Sequence, residues 1–221
     1  MLGLHIFSNT LIVAVFSITL VGAGDLSRYR EFDLGSSLIE IARQTGADPE
    51  KATTLHERPA LIQGLSWRAG FEDAVNEVQF NFYEGQLFRM MVYYDRYRTE
   101  GMTAQDLIDS TSAIYGEASR PAEEMSLSTL YGNDEVVEVI ARWEDSEWSY
   151  NLVRFRGGQP FTLAVLSKSL DGPAQAALHR ARELDREEAP QRAIERKTRD
   201  DAEAATKLDE ARLLNRPHFQ P

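Results

Sequence analysis

The chain has 221 residues, enough for one or two small domains that each have a core. With 43% hydrophobic and 27% charged residues it has the composition of a soluble globular protein, and its net charge of −11 argues against nucleic acid and anionic membrane surfaces as partners. It contains no cysteine, which excludes disulfides, thiolate metal sites and a lipidated N-terminal cysteine.

Residues 1–23 have the pattern of an export signal. Leu11–Val21 is apolar apart from two hydroxyl residues, a length typical of a signal-peptide core and short for a membrane span. Val21-Gly22-Ala23 then offers the small residues that a signal peptidase requires. The sequence predicts a periplasmic or secreted protein. The alternative is an inner-membrane protein that keeps residues 2–21 as an anchor.

Two consecutive stretches, residues 29–98 and 99–170, each predict a helix followed by three strands. The helices open at Ser37 and Thr103, each with an acidic residue three positions on, and both end at a glycine. Each polar linker after a helix leads into a strand that ends at a tryptophan, Trp67 or Trp143. The predicted fold is α+β, two tandem helix–strand–strand–strand units with antiparallel sheet.

The last two strands of each unit predict a hairpin, and the second hairpin begins seventy-three residues after the first. A three-residue loop at 83–85 would put one set of apolar residues of the first hairpin on a single face. This set is Val78, Phe80, Phe82, Phe88, Met90 and Val92. The positions of the second hairpin that match the last five of these are Val153, Phe155, Phe161, Leu163 and Val165.

The opposite face of the first hairpin carries a candidate binding surface. Tyr83, Arg89, Met91 and Tyr93 are of the residue types enriched at protein interfaces. The alternative is that the other unit or a linker half-covers this face. Arg96 and Tyr97 continue the pattern into the stretch between the units, where they would either bind a partner or fasten the linker.

Motifs for chemistry are absent from the sequence: it has no phosphate-binding glycine loop, nucleophile elbow or zinc-protease helix. A polar cluster, His56, Glu57 and Arg58, lies just before a strand, and a histidine that bonds the linker backbone is favoured there over a general base. His179 and Glu183 are only two potential ligands and make no metal site. We therefore predict no catalytic residue, no cofactor and no metal.

Residues 171–221 form a charged C-terminal segment rich in helix formers. Asp171-Gly172-Pro173 can start a helix, and Pro190 predicts a break or a new helix start. Large apolar residues are too sparse for a sustained coiled-coil seam, so the segment is predicted to be a solvated helix or a partly disordered tail.

The order of elements over 37–46 with 78–94, and over 103–116 with 151–168, resembles the tandem architecture of β-lactamase inhibitor proteins. A single unit resembles small outer-membrane assembly lipoproteins, although this chain lacks their anchoring cysteine. The stretch from Tyr29 to Gly101 also looks like exported proteins of environmental bacteria for which no function is known. These likenesses imply a fold and not a function.

The sequence as a whole favours a non-enzymatic envelope protein that binds another protein. One alternative is a small-ligand-binding protein or hydrolase with a cleft between the units. The other is a membrane-anchored structural spacer.

Overall fold

The computed structural model describes residues 24–128, 134–156, 161–218 and 220. The predicted export segment, residues 1–23, lies outside the described residues, as does the turn of the second hairpin at 157–160. The described part has the predicted α+β class, with three α-helices and a large antiparallel sheet.

Eight strands form the main sheet, and two very short strands form a separate ribbon. The ribbon pairs β1 (Arg28–Tyr29) with β2 (Phe32–Asp33). The sheet strands of the first half are β3 (Thr53–His56), β4 (Ile62–Arg68), β5 (Val75–Tyr83) and β6 (Gln86–Tyr94). Those of the second half are β7 (Glu124–Ser128), β8 (Asp134–Glu144), β9 (Trp148–Phe155) and β10 (Thr162–Ser167).

The order across the main sheet is β3-β4-β5-β6-β10-β9-β8-β7, with every neighbouring pair antiparallel. The two halves therefore meet at the central pair of β6 and β10, where Val92 lies opposite Leu163 and Met90 lies opposite Val165. Both predicted units contribute to one continuous sheet. Whether they are copies of one unit stays a prediction.

Helices α1 (Leu38–Thr45) and α2 (Ala104–Tyr115) begin where the sequence predicts. Ser37 caps α1: its hydroxyl accepts the Glu40 amide, and the Glu40 carboxylate accepts the Ser37 amide at 2.8 Å. Thr103 and Asp106 form the same reciprocal pair at the start of α2. Gly46 ends α1 in the left-handed conformation, with φ +68°, which a residue with a side chain rarely adopts.

The turn of the first hairpin corrects the sequence-based prediction. Glu84 and Gly85, with φ +48° and +78°, form a two-residue turn, and Tyr83 pairs with Gln86. The register then shifts, because Asn81 pairs with Arg89 whereas Phe82 pairs with Leu87. Phe88 is thus the extra residue of a β-bulge. Leu87, and not Phe88, completes the apolar face that Phe80 and Phe82 begin.

The second hairpin also differs from the prediction. Leu163 and Val165 belong to the main core as expected, but their partners there are Leu152 and Tyr150. Val153 and Phe155, which were predicted to share their face, lie in a second cluster on the other side of the sheet. A one-residue change in register moves every side chain of a strand to the opposite face.

Helices pack on both faces of the sheet. The main core packs α1, α2 and the β1–β2 ribbon against one face, through Ile41, Leu107, Ile108 and Phe32 among others. The other face carries two smaller clusters, one around Met91 and Val153 and one that joins Ile62 to the third helix.

The third helix, α3 (Lys168–Asn215), follows β10 without a loop. It begins three residues before the predicted start, and it continues through Pro190, where the sequence predicts a break or a new helix start. Its buried residues, Ala174, Ala177, Leu178 and Ala181, have the spacing of a single helix face. From residue 189 onward every described residue is exposed, so the second half of α3 projects from the body.

Candidate functional site

One end of the sheet presents an exposed pair of aromatic side chains. Phe71 lies in the loop between β4 and β5, and Tyr97 lies in the segment between β6 and α2; they are 92% and 73% exposed. Both line one groove of about 510 Å³ together with Arg68, Asp95 and Arg98. We call Phe71, Tyr97, Arg68, Arg96 and Arg98 the aromatic patch.

Asp95 shapes the loop that carries Tyr97. Its carboxylate accepts the amides of Tyr97 and Arg98 at 2.8 and 3.0 Å, and its carbonyl accepts the Thr99 amide at 3.0 Å. An aspartate that bonds the backbone two and three residues ahead folds the chain into a tight turn. The Asp95 amide also donates to the Ala74 carbonyl at 2.8 Å, which ties this loop to the β4–β5 loop.

Asp73 anchors the loop that carries Phe71. Its two carboxylate oxygens accept the Arg30 guanidinium at 2.6 and 2.8 Å, and one of them also accepts the Val75 amide at 2.8 Å. The bidentate bond from Arg30 is the main reason why the pKa of Asp73 falls from 3.8 to about 2. Both aromatic side chains therefore stand on loops with fixed backbones.

Arginine side chains lie beside both rings of the patch. The guanidinium of Arg98 is 5.9 Å from the Phe71 ring centre and donates to Glu72 at 3.0 Å. The guanidinium of Arg96 is 5.1 Å from the Tyr97 ring centre. Among the described residues Arg68 and Arg96 have no ion-pair partner, so positive charge at this edge is available to a ligand.

The pH dependence of stability should report the Arg30–Asp73 pair. A carboxyl whose pKa is lowered on folding stabilises the protein above its unfolded pKa and loses that contribution as the pH falls through the folded one. The stability difference between wild type and Asp73→Asn should be constant well above pH 3.8 and should shrink as the pH falls from 3.8 to about 2. Urea unfolding at a series of pH values measures this difference. A difference unchanged down to pH 2 would show that Arg30 does not hold the carboxylate.

The structure covers the other predicted binding residues wholly or in part. Arg89 and Met91 are each 1% exposed, and Met91 packs in the cluster around Val153. Tyr83 is half-buried against the cluster that joins Ile62 to α3, and Tyr93 is half-buried with its hydroxyl 3.3 Å from Gln79. The alternative weighed from the sequence was that the other unit or a linker half-covers this face, whereas the observed contacts come from α3 of the C-terminal segment.

Arg89 lies beneath the first turn of α3. Its Nη2 donates to the Asp171 carboxylate at 2.5 Å, whereas its Nε and Nη1 have no hydrogen-bond partner among the described residues. The side-chain oxygen of Asn81, the residue opposite Arg89 on β5, is likewise buried without a partner there. Arg89 is thus a buried charge that is only partly satisfied, and it contributes to the position of α3.

The alternative polar cluster also faces α3. His56 Nδ1 is 3.6 Å from Asp185, and Arg58 Nη2 is 3.0 Å from Glu188. Glu57 is exposed. The three residues do not line the groove of the aromatic patch. They do not line a second groove either, of about 840 Å³, beside β7 and β8. The observed contacts of His56 and Arg58 are with α3.

In the part of the chain that the structure describes, no three histidine or acidic side chains come together as a possible metal site. Within the same ranges, no helix combines the length and the apolar character needed to cross a membrane. Comparisons with family models, with curated proteins and with solved structures find no match to this chain. The resemblances inferred from the sequence stay predictions.

Phe71 and Arg68 are residues of this site that sequence reasoning missed, and Phe71 is 92% exposed. It stands in the polar stretch Arg68–Ala74, between two strands, where a large apolar side chain has no core to enter. A single phenylalanine in such a short polar loop is the sequence signal that could have indicated an exposed aromatic residue. Tyr97 and Arg96 were predicted from their composition; Tyr97 lines the same groove as Phe71, and Arg96 lies beside the Tyr97 ring.

Proposed function

We propose that this chain is an exported, non-enzymatic protein of the cell envelope that binds another protein through the aromatic patch. The observation that carries the proposal is the exposure of Phe71 and Tyr97 along one groove, with arginine side chains beside both rings. Tyrosine and arginine are enriched among the residues that dominate binding energy at interfaces, and phenylalanine brings a large apolar area.

The fixed backbone of the patch favours binding. Ordering a mobile loop on association costs free energy, which lowers the affinity. Here Asp95 and Asp73 already hold the two loops, and the Asp95 amide ties one loop to the other. The partner that fits is a protein surface with an apolar pocket for one or both rings and with acidic groups near it for Arg68 and Arg96.

An affinity experiment tests this proposal. Wild type, Phe71→Ala/Tyr97→Ala and the control Ile39→Ala would each be immobilised and exposed to envelope extract from the native organism. Ile39 is also a large exposed side chain, 71% exposed, but it lies on α1. We expect a protein that wild type and the control retain and that the double variant loses, with unchanged melting temperatures for all three.

The retained protein would then be purified and its affinity measured. Loss of one hot-spot side chain costs about 2 kcal/mol, which is roughly thirtyfold in affinity. The double variant should therefore bind at least about a hundredfold more weakly than wild type. Equal retention of every partner by wild type and by the double variant would exclude the aromatic patch as the binding surface.

A further inference from the structure

The projecting half of α3, residues 189–215, has an uneven distribution of charge; we call it the distal helix. Its first part, 191–199, contains four basic residues and one acidic residue: Arg192, Arg196, Lys197 and Arg199 against Glu195. Its second part, 200–210, contains five acidic residues and one basic residue: Asp200, Asp201, Glu203, Asp209 and Glu210 against Lys207. Residues 191–210 thus form a basic stretch followed by an acidic stretch of similar length, and Arg212 adds one basic residue after them.

The distal helix also carries two large apolar residues outside its last turn, Ile194 and Leu208. They are 61% and 71% exposed, and no described part of the body covers them. They are fourteen residues apart, which on an α-helix is nearly four full turns, so both lie on about the same side. Thr198 and Ala205, near that side, are small, whereas Asp201, midway between the two apolar residues, is acidic and pairs with Lys197 of the same helix at 2.7 Å.

The charge pattern and the two apolar residues of the distal helix are complementary to those of a second, antiparallel distal helix. In an antiparallel pair with its two-fold axis near residue 201, the basic stretch of each copy lies along the acidic stretch of the other. The same axis puts Ile194 of one copy at the level of Leu208 of the second copy. A parallel pair would instead place basic against basic and acidic against acidic, which is repulsive. The charge pattern therefore favours the antiparallel over the parallel orientation.

We infer that the distal helix is a self-association surface that pairs antiparallel with the distal helix of a second copy of this chain. A two-fold contact uses the same surface on both partners, and a segment whose charge reverses about its midpoint meets that requirement. The contact lies far along the chain from the aromatic patch and does not depend on what the patch binds.

The contact should be weak and sensitive to salt. Only one apolar pair on each side of the axis is buried, and the charges stay close to solvent, where ions screen them. Raising the salt concentration from about 50 mM to about 500 mM shortens the screening length roughly threefold. We expect the dissociation constant of the dimer, measured by sedimentation equilibrium on the full chain, to rise at least about tenfold over this range. A chain that is monomeric at low salt and high protein concentration would overturn the inference.

Cysteine cross-linking tests the orientation, because the native sequence contains no cysteine. Ile194→Cys and Leu208→Cys would be prepared as separate proteins and oxidised alone and as a mixture. In the antiparallel pair, two copies of position 194 are about 21 Å apart along the axis, whereas a disulfide needs Cα atoms within about 7 Å. Each protein alone should therefore stay unlinked and the mixture should form a linked heterodimer.

An Ile39→Cys protein serves as the control for random collision, since its exposed side chain lies on α1. Cross-linking of Ile194→Cys with itself, at a rate above this control, would show a parallel pair and would overturn the inference. Failure of the mixture to cross-link above the control would overturn it as well. Circular dichroism of each variant confirms that the helix content is retained.

Discussion

Replacing Asp171 with alanine should lower the free energy of unfolding by about 3 kcal/mol, because it leaves the guanidinium of Arg89 buried without a counterion. The Arg89 side chain is 1% exposed, and Asp171 is its only hydrogen-bond partner among the described residues. The expected loss lies at the low end for a broken buried pair, since the Asp171 side chain is 23% exposed and water can reach that end. Urea unfolding measures the change.

Arg89→Met is the matched variant, and its effect should be much smaller. It removes the buried charge itself, and methionine fills a similar volume beside the apolar cluster of Met91. The Asp171 carboxylate that remains is partly exposed and lies in the first turn of α3, where the helix dipole favours a negative charge. We expect a change within about 1 kcal/mol in either direction.

The contrast between these two variants is informative. A large loss for Asp171→Ala together with a near-neutral Arg89→Met would assign Arg89 to the docking of α3. If both variants left the stability unchanged, the Arg89–Asp171 pair would not hold α3 in its position.

Replacing Trp143 with alanine should cost about 3–5 kcal/mol of unfolding free energy, the largest effect that we expect from a single substitution in the core. Trp143 on β8 is 2% exposed and packs in the main cluster. Its indole N–H donates to the Gly116 carbonyl at 3.0 Å and lies 3.1 Å from the Ser112 hydroxyl, so it also fastens the end of α2 to the sheet.

Trp143→Phe separates the two contributions. It keeps most of the apolar volume and removes the donor, which should cost about 1–2 kcal/mol because the Gly116 carbonyl loses a buried partner. Trp67→Phe is the control, since Trp67 ends the corresponding strand of the first half but is only half-buried, and it should change stability by under about 1 kcal/mol. Equal effects of Trp143→Phe and Trp67→Phe would mean that the hydrogen bond from Trp143 to Gly116 does not contribute to stability.

Local features of the fold could be predicted from the sequence because they depend on a few neighbouring residues. The starts of α1 and α2 follow from a hydroxyl residue and an acid three positions later, and both were found as reciprocal caps. The strands that end at the two tryptophans were also predicted correctly. By contrast, β3 and β7 were read as linkers, because they are short edge strands whose pattern is visible only when a neighbour pairs with them.

The bulge at Phe88 is the reason why the predicted hairpin register failed. A three-residue loop and a two-residue turn with a bulge both bring apolar residues to one face, and alternation alone cannot separate them. The difference decides whether Leu87 or Phe88 enters the main core.

Only part of the candidate site could be predicted from the sequence. Composition identified Tyr83, Arg89, Met91 and Tyr93 as interface types, but it could not reveal that a helix eighty residues further along the chain packs over their face. Arg96 and Tyr97 were predicted by the same reasoning and are exposed. Proximity of Phe71 to Tyr97 depends on hydrogen bonds between two loops, which no local pattern encodes.

The central pairing of β6 with β10 also has a consequence for the order in which the parts of the fold form. These two strands lie far apart in sequence, and each is the innermost strand of its half, with almost no charged residue to protect its edge. Until they meet, each half exposes a row of unpaired backbone groups beside apolar side chains, a form that favours aggregation. Because α3 follows β10 directly, the helix can reach its final position only after this closure. The final position of α3 thus depends on the joining of the two halves.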